Sequence, residues 1–270
     1  MPELAKIRHV VLDMDGTIYL DDDLFPATLP FLAVLDRLKV GYTFITNNCS
    51  RSRAQYVDHL GRLGIDVEPA AIHTSAQATV HYLQTHLPRV ERLFVLGTSG
   101  LEEDLRQAGF EIVEKRPDAV VVGFDLELTY DRLARTAWWI AQGLPYIATH
   151  PDRVCPTNEP IVLPDCGAIC ALLESATGRR PDAVPGKPSP AMLQAILDRH
   201  GVAPAEIAMV GDRLYTDIRM AREAGGLAIL TLTGEARRAD LDAAPAEWRP
   251  DLMVSDLNEL GRMIAEARHV

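Results

Sequence analysis

The sequence has few of the residues that build a disulfide framework, a structural zinc site or a membrane span. Its 270 residues include four cysteines without a CxxC pair and eight histidines without an HExxH motif. No segment approaches the ~20 consecutive apolar residues of a transmembrane helix, and the N-terminal segment does not resemble a signal peptide. We therefore expect reduced thiols, a cytoplasmic location and no membrane partner.

Positive charge is also scarce. The chain has 27 Lys and Arg against 38 Asp and Glu, for a net charge of −11. Nucleic acids and anionic membranes are bound mainly through clustered basic side chains, so neither is an expected partner. An anionic ligand would need a local cation, and this points towards a bound metal ion.

What the sequence does contain is an alternation of short apolar runs and segments with helical spacing. The runs predict buried strands at His9–Asp13, Tyr42–Thr46, Leu93–Leu96, Ala119–Phe124, Tyr146–Ala148, Ile207–Val210 and Leu227–Leu232. The helical segments are Pro30–Leu38, Arg51–Leu63, Ser75–Leu87, Leu101–Ala108, Asp131–Gln142, Gly167–Thr177, Pro190–His200 and Thr216–Ala224. This alternation predicts an α/β fold with parallel sheets covered by helices. Ligands of such sheets bind beyond the carboxyl ends of the strands, so polar residues there are the candidates for chemistry.

The motif with the clearest chemical content is Asp13-Met14-Asp15-Gly16-Thr17, at the end of the first predicted strand. Side chains two apart in an extended segment point the same way, so Asp13 and Asp15 can face one site. Such a pair suits a division of labour, in which one carboxylate is a nucleophile and the other carries a proton for the leaving group. By itself, however, Asp-Gly is also typical of a surface turn.

Three further motifs follow predicted strands or lie in a proline-rich loop. Thr46-Asn47-Asn48 ends the second strand and precedes a predicted helix start, where hydroxyl, amide and backbone N–H groups can hold a phosphate. Lys187 lies between prolines, and Asp212 and Asp217 follow another strand, as an oxygen-rich Mg²⁺ site requires. Each alone is also typical of a helix cap, a surface lysine or a loop.

In this order, the motifs resemble those of the haloacid dehalogenase-like (HAD) superfamily over nearly the whole chain. That family has a DxD followed by GT, a Thr or Ser after the second strand, a Lys, and an acidic GD…D segment. They correspond here to Asp13/Asp15, Thr46, Lys187 and Asp212/Asp217. The resemblance implies a Rossmann-like HAD core with a parallel sheet.

The spacing of the motifs refines the resemblance. The stretch from Thr17 to Thr46 is too short for an inserted domain, whereas the stretch from Asn48 to Lys187 can hold a helix and a domain of about 100 residues. This resembles the C2a-capped branch that contains NagD-like and 4-nitrophenyl phosphatases. It implies a core of residues 1–80 and 184–270 and an inserted α/β cap domain of residues 81–183. Two departures from the branch pattern are His150, where many relatives have Asn, and the segment that begins Pro164-Asp165.

The resemblance implies a Mg²⁺-dependent phosphatase that hydrolyses small phosphomonoesters through an aspartyl-phosphate. The candidate substrates are sugar phosphates, nucleoside monophosphates and phosphoglycolate. Mg²⁺ would be bound by the carboxylates of Asp13 and Asp212 and by the backbone carbonyl of Asp15. Asp13 would be the nucleophile, and Asp15 would be the general acid and base.

The remaining motif residues take supporting roles under the same resemblance. Thr46, Asn47 and Lys187 would hold the phosphoryl oxygens, and Asp217 would orient metal-bound waters or Lys187. In the inserted domain, Asp152 is a candidate contact for the leaving group, although the residue type is equally typical of a loop.

Two other functions stay open at this point. The protein could bind a phosphorylated metabolite without hydrolysing it, although Asp15 argues against this because a binding module needs no acid and base. It could also be a protein phosphatase, although a bulky cap favours small substrates. Trp138-Trp139 could stack a base, pack in the core or form a subunit interface, and related proteins suggest a homodimer through the cap.

Overall fold

The computed structural model of the chain describes residues 2–155 and 161–268. Its strands are β1 His9–Asp13, β2 Tyr19–Leu20, β3 Asp23–Leu24, β4 Gly41–Thr46, β5 Ile72–Thr74, β6 Arg92–Leu96, β7 Glu111–Ile112, β8 Ala119–Val122, β9 Tyr146–Ala148, β10 Val154–Cys155, β11 Leu163–Pro164, β12 Ile207–Gly211, β13 Leu227–Thr231 and β14 Leu252–Val254. Its α-helices are α1 Pro2–Lys6, α2 Thr28–Arg37, α3 Arg53–Arg62, α4 Ser75–His86, α5 Ser99–Gln107, α6 Tyr130–Ala141, α7 Cys166–Thr177, α8 Pro190–His200, α9 Arg219–Glu223, α10 Asp240–Ala243 and α11 Leu257–Ala267. Strands and helices alternate as predicted, which confirms the α/β class.

The chain divides into two compact units. Unit 1 comprises residues 1–46, 60–72 and 187–270, and unit 2 comprises residues 47–59 and 73–186. Unit 2 thus begins earlier in the chain than the predicted cap boundary at residue 81. The reason lies in α4, because Ala76 and Leu83 pack into the same apolar cluster as Leu93 and Val95 of β6.

Unit 1 is built on a six-stranded sheet in the order β14-β13-β12-β1-β4-β5. The pairs of β1 with β4 and β12 are parallel, as are the pairs of β13 with β12 and β14. All five residues of β1 are buried, as expected for a central strand with both faces covered. Because parallel strands end at the same edge, the residues after β1, β4 and β12 are brought together there.

Unit 2 contains a second, four-stranded sheet in the order β7-β6-β8-β9, whose pairs are parallel. Alternate residues of β8 point to opposite faces, since Ala119 and Val121 pack in one apolar cluster and Val120 and Val122 in another. Burying each of these valine side chains contributes roughly 1.5–3 kcal/mol. The unit therefore has its own core on both faces of its sheet.

Several elements differ from the sequence prediction. The predicted helix Thr216–Ala224 is a π-helical turn, Leu214–Ile218, followed by the short helix α9. The turn is widened because the carbonyl of Arg213 accepts hydrogen bonds from the N–H groups of both Asp217 and Ile218, at 3.1 and 3.2 Å. The sequence analysis also missed β5, β14 and α11, of which the two strands are only three residues long.

The free thiols match the sequence prediction, since the four cysteines form no disulfide. Cys166 and Cys170 lie on one face of α7 with their sulfurs 4.0 Å apart, and both are buried. Among the described helices, none is both long and apolar enough to cross a bilayer.

Candidate active site

The register of the unit 1 sheet brings three predicted motifs to one edge. Asp13 ends β1 opposite Ile45 of β4, so Thr46 is the next residue beyond that pair. On the other side, Leu12 pairs with Val210 of β12, and Asp212 follows one residue after that strand's end at Gly211. Asp13, Thr46 and Asp212 are all buried.

Lys187 joins this edge as a buried cation. Its Nζ contacts Oδ1 of Asp13 and lies 2.7 Å from Oδ1 of Asp217. The side chains are only 5% exposed for Lys187, 7% for Asp13 and 0% for Asp217. A lysine this deeply buried is stable only when paired, so these two carboxylates explain its burial.

The carboxylates of Asp13, Asp212 and Asp217 form a close acidic cluster. One oxygen from each lies within 4.8 Å of the others. Burial, and then the charges of Asp13 and Asp217, raise the pKa of Asp212 well above its usual range. Burial, followed by the charge of Asp13, raises the pKa of Asp217 to about 6. Burial lowers the pKa of Lys187, but Asp13 and Asp217 outweigh it and the net shift is upward.

This cluster fits a divalent cation. Among the described residues, Oδ1 of Asp212 is buried and makes no hydrogen bond. An unpartnered buried carboxylate oxygen is costly unless a cation or proton meets it. Carboxylate oxygens are the ligands that Mg²⁺ prefers, and the ion's charge would offset the repulsion among the three acids.

Two loops fix the orientation of Asp212. Gly16 has φ +84°, and a Cβ there would lie 2.5 Å from Oδ2 of Asp212, so only glycine allows this close approach. On the other side, the N–H of Glu235 donates to Oδ2 of Asp212 at 2.7 Å. Thr233 Oγ1 donates to the carbonyl of Gly16 at 2.7 Å and thereby joins the two loops. The sequence analysis missed Thr233 and Glu235, although polar residues after a predicted strand were a usable signal.

Asp15 lies just beyond the cluster at the base of a small hairpin. It forms an isolated bridge with Tyr19, and the N–H of Gly16 donates to the Tyr19 carbonyl at 2.8 Å. Strands β2 and β3 pair antiparallel here. Asp15 is only partly buried, in contrast to Asp13. The hairpin therefore gives the two aspartates different environments.

The helix after Thr46 begins later than predicted. Instead of starting near Arg51, α3 starts at Arg53. The reason is local, because Ser52 and Gln55 cap this helix, with the Ser52 N–H donating to Gln55 Oε1 at 2.8 Å. Thr46 is therefore the last residue of β4, Asn47 is the first residue after it, and neither caps the helix.

Asn47 and Asp152 meet within unit 2. The amide Nδ2 of Asn47 lies 3.2 Å from both carboxylate oxygens of Asp152. Asn47 is buried, whereas Asp152 is partly exposed. Two residues that the sequence analysis selected separately, one for the phosphate and one for the leaving group, are thus hydrogen-bonded to each other.

The two departures from the branch pattern also meet in unit 2. His150 Nε2 lies 2.9 Å from Oδ1 of Asp165, and both side chains are buried. Burial lowers the pKa of His150, but the Asp165 carboxylate outweighs it, and the net shift is well above the usual range. Together with Asp152 these side chains could hold a metal ion, but Nδ1 of His150 also has a partner, Thr149 Oγ1 at 2.8 Å. The geometry therefore favours a buried ion pair.

The two tryptophans take different places on α6. Trp139 packs against the apolar cluster that covers one face of the unit 2 sheet. Trp138 is 54% exposed, and Tyr130 at the start of the same helix is 85% exposed. Core packing thus accounts for Trp139 alone.

Comparison with known families decides the identity of this site. A family model described as haloacid dehalogenase-like hydrolase matches residues 10–111, and a HAD-hydrolase-like model matches residues 184–260. The chain belongs to the haloacid dehalogenase-like hydrolases. These matched segments contain the Asp13 motif, Thr46, Lys187 and the Asp212 motif, as the sequence resemblance predicted.

Individual relatives place the chain in the NagD-like branch of the HAD family. It is 32% identical to the ribonucleotide monophosphatase NagD of Escherichia coli K12, over 94% of this chain and 98% of NagD. The structure matches 4-nitrophenylphosphatase from Thermotoga maritima with a TM-score of 0.92 and 42% identity, over 97% and 99% of the two chains. It also matches glycerol phosphate phosphatase from Mycobacterium tuberculosis in complex with magnesium, with a TM-score of 0.89 and 32% identity, over 96% and 78%. This HAD protein is a phosphomonoester hydrolase.

Proposed function

We propose that the protein is a Mg²⁺-dependent phosphatase that hydrolyses small-molecule phosphomonoesters through an aspartyl-phosphate intermediate on Asp13. The observation that carries the proposal is the buried cluster of Asp13, Asp212 and Asp217 within 4.8 Å, with Lys187 bonded to two of these acids. Phosphoryl transfer depends on positioning and on neutralising negative charge, and this cluster can do both.

The metal would be held by the carboxylates of Asp13 and Asp212 and by the backbone carbonyl of Asp15. When bound, Mg²⁺ supplies positive charge against the phosphoryl oxygens. The open Oδ1 of Asp212 supports this assignment. The magnesium complex of the mycobacterial relative supports it independently.

In the first step, an oxygen of Asp13 attacks phosphorus while the bond from phosphorus to the ester oxygen breaks. Asp15 gives its proton to the departing alkoxide, which leaves as an alcohol. In the second step, Asp15 takes a proton from water, whose oxygen attacks phosphorus and displaces the Asp13 carboxylate. Inorganic phosphate leaves, and both aspartates return to their starting states.

Lys187, Thr46 and Asn47 would hold the phosphoryl oxygens. The Lys187 ammonium already contacts Asp13, so it lies beside the reacting carboxylate. Asp217 would hold Lys187 in this position through its 2.7 Å contact. In unit 2, Asp152 stays a prediction as a contact of the leaving group.

The substrate class is a further part of the proposal. The relatives named above act on ribonucleotides, 4-nitrophenyl phosphate and glycerol phosphate, so sugar phosphates, nucleoside monophosphates and phosphoglycolate remain the candidates. We also propose a cytoplasmic enzyme, supported by its free thiols. A homodimer through unit 2 is supported by the exposed apolar side chains Leu126, Leu128, Tyr130 and Trp138.

The test is phosphate release from a panel of phosphomonoesters, with Mg²⁺ and with excess EDTA. The panel contains 4-nitrophenyl phosphate, sugar phosphates, nucleotides, glycerol phosphate and phosphoglycolate. We expect release only with the metal, and none from Asp13→Asn, which removes the nucleophile without changing its size. Turnover by a pure, metal-replete Asp13→Asn sample would overturn the proposed mechanism.

A further inference from the structure

Unit 1 contains a cavity of about 300 Å³ that none of the acids of the cluster lines. Its walls come from the π-helical turn, the loop after β13, helix α10 and a 3₁₀ turn, Ala246–Trp248. Ligand pockets in proteins range from about 300 to 1,000 Å³, and this cavity lies at the lower limit. It therefore suits one small ring system with a short side chain.

The inner surface of this cavity is apolar. Leu214, Ala236 and Ala244 line it and are all buried. The backbone behind them is ordered, since the N–H of Ala236 donates to the carbonyl of Asp212 at 3.1 Å. An apolar surface of this kind favours the carbon skeleton of a ligand, because contact with it removes apolar area from water.

Two aromatic rings also line the cavity, those of Tyr215 and Trp248. Their centroids lie 6.5 Å apart, with the ring planes tilted by 59°. The Tyr215 hydroxyl donates to Oε2 of Glu235 at 3.2 Å, which restricts the rotation of its ring. Aromatic rings attract a further ring in offset or edge-to-face arrangements. The pair therefore favours a ligand with a flat ring.

The charged side chains of the cavity determine the sign of the ligand charge. They are one cation, Arg213, and two acids, Glu235 and Asp240. The Arg213 side chain is only 13% exposed, and its Nε lies 3.0 Å from Oε2 of Glu235. Both acids are exposed. The charge that a ligand meets from solvent is thus negative, and an ammonium group there also gains from the nearby aromatic rings.

We propose that this cavity is a binding site for a small aromatic amine. The ring of the amine lies against Tyr215 and Trp248, and its ammonium group faces Glu235 and Asp240. The inference goes beyond the proposed function and does not depend on it, because none of the described residues that line the cavity is assigned to hold the metal or the phosphate. Phosphate esters are anions, so the acids of this cavity disfavour them.

The test is an NMR titration of the isotope-labelled protein with tryptamine, in the absence of metal and substrate. We expect a Kd of about 1 mM, as is typical of so small a ligand. Tryptophol has the same ring without a charge and should bind about fivefold more weakly, and the anion indolepropionate more weakly still. Hexylamine keeps the ammonium group without the ring and should lose about tenfold. The shifted amide signals should belong to the residues that line the cavity.

Two variants locate the site, each with a matched control. Ala243 lines the cavity from an exposed position, so Ala243→Leu fills the cavity without removing a core side chain. Trp248→Leu removes the ring and keeps an apolar side chain. Each should weaken tryptamine binding about tenfold or more. Ala171→Leu and Trp138→Leu make the same changes at exposed positions of unit 2 and should leave the Kd unchanged.

A second pair of experiments tests the role of charge. The double variant Glu235→Gln with Asp240→Asn keeps the size of both side chains, so it should weaken tryptamine binding about fivefold and leave tryptophol binding unchanged. The acidic cluster is the competing site for an amine. Asp13→Asn lowers the charge of that cluster, and we expect it to leave the Kd for tryptamine unchanged. Thermal unfolding checks that every variant is folded.

Three results would overturn the inference. The first is an absence of saturable binding at tryptamine concentrations about twentyfold above the expected Kd. The second is equal affinity for tryptamine, tryptophol and indolepropionate, which would exclude an amine site. The third is a Kd that Asp13→Asn changes and Ala243→Leu does not, which would place the amine at the acidic cluster. Because no ester is hydrolysed in these titrations, their outcome is independent of whether the proposed function holds.

Discussion

Replacing Lys187 with methionine tests whether the buried ammonium supports both folding and catalysis. Methionine is unbranched and similar in length but carries no charge. The ammonium contacts Asp13 and Asp217, and its side chain is only 5% exposed. Its removal leaves these two acids and Asp212 close together without their lysine partner. We therefore expect a loss of stability and a loss of rate.

The expected size follows from the burial of the pair. Removing one partner of a buried ion pair costs about 3–5 kcal/mol, because the remaining charge is left unpaired. In the metal-free protein we expect the free energy of unfolding to fall by about 3 kcal/mol. Added Mg²⁺ should restore part of this stability, since a cation among the three carboxylates reduces their repulsion. Loss of one charged contact to the transferred phosphoryl group should lower kcat/KM by roughly a hundred- to a thousandfold.

Urea unfolding followed by circular dichroism, with EDTA and with Mg²⁺, measures the stability. Phosphate release measures the rate. Lys115→Met is the matched control, because Lys115 is exposed in unit 2 and should change neither quantity. The reasoning fails if Lys187→Met unfolds at the same urea concentration as the wild type in EDTA, or if its kcat/KM stays within threefold of the wild-type value.

Three further predictions follow from other parts of the structure. Asp15→Asn should lower kcat far more for glycerol phosphate than for 4-nitrophenyl phosphate, because nitrophenolate leaves without a proton. Steady-state kinetics with both esters measures the two losses in kcat, and equal losses would contradict the role of Asp15 as the acid. Burial, and then the charge of His200, lower the pKa of His9 to about 4. Since the unfolded chain takes up this proton near pH 6.5, the His9 contribution is complete above pH 6.5 and is lost as the pH falls towards 4. The stability lost between pH 7 and pH 5 through His9 should amount to about 2 kcal/mol. Urea titrations at pH 7 and pH 5 should show this loss in the wild type and a smaller one in His9→Gln; an equal loss in both would exclude His9 as its cause. Finally, Tyr130→Ser with Trp138→Ser should convert a dimer to a monomer in sedimentation experiments, with secondary structure unchanged, because both side chains are exposed on unit 2. A variant that sediments as the wild type does would remove this surface from the interface.

Local patterns in the sequence were enough to predict the central strands and the helices α4, α6, α7 and α8 to within about two residues. Strand β1 could be found because its five consecutive residues are buried, and a buried strand requires a continuous apolar run. The π-helical turn could not be found in this way. It depends on two N–H groups sharing the Arg213 carbonyl, which has no periodic sequence signal.

The candidate site, too, could be predicted only in part from the sequence. The residue types and the order of Asp13, Lys187 and Asp212 could be read from the sequence, because the ligands of a parallel sheet bind beyond the ends of its strands. Which side chains meet was decided by the tertiary structure. Asn47 and Asp152 are 105 positions apart, and Lys187 and Asp13 are 174 apart. Contacts between residues so far apart in the sequence form only when folding brings their segments together. Hydrophobic periodicity reports only local structure, so it could not predict these contacts.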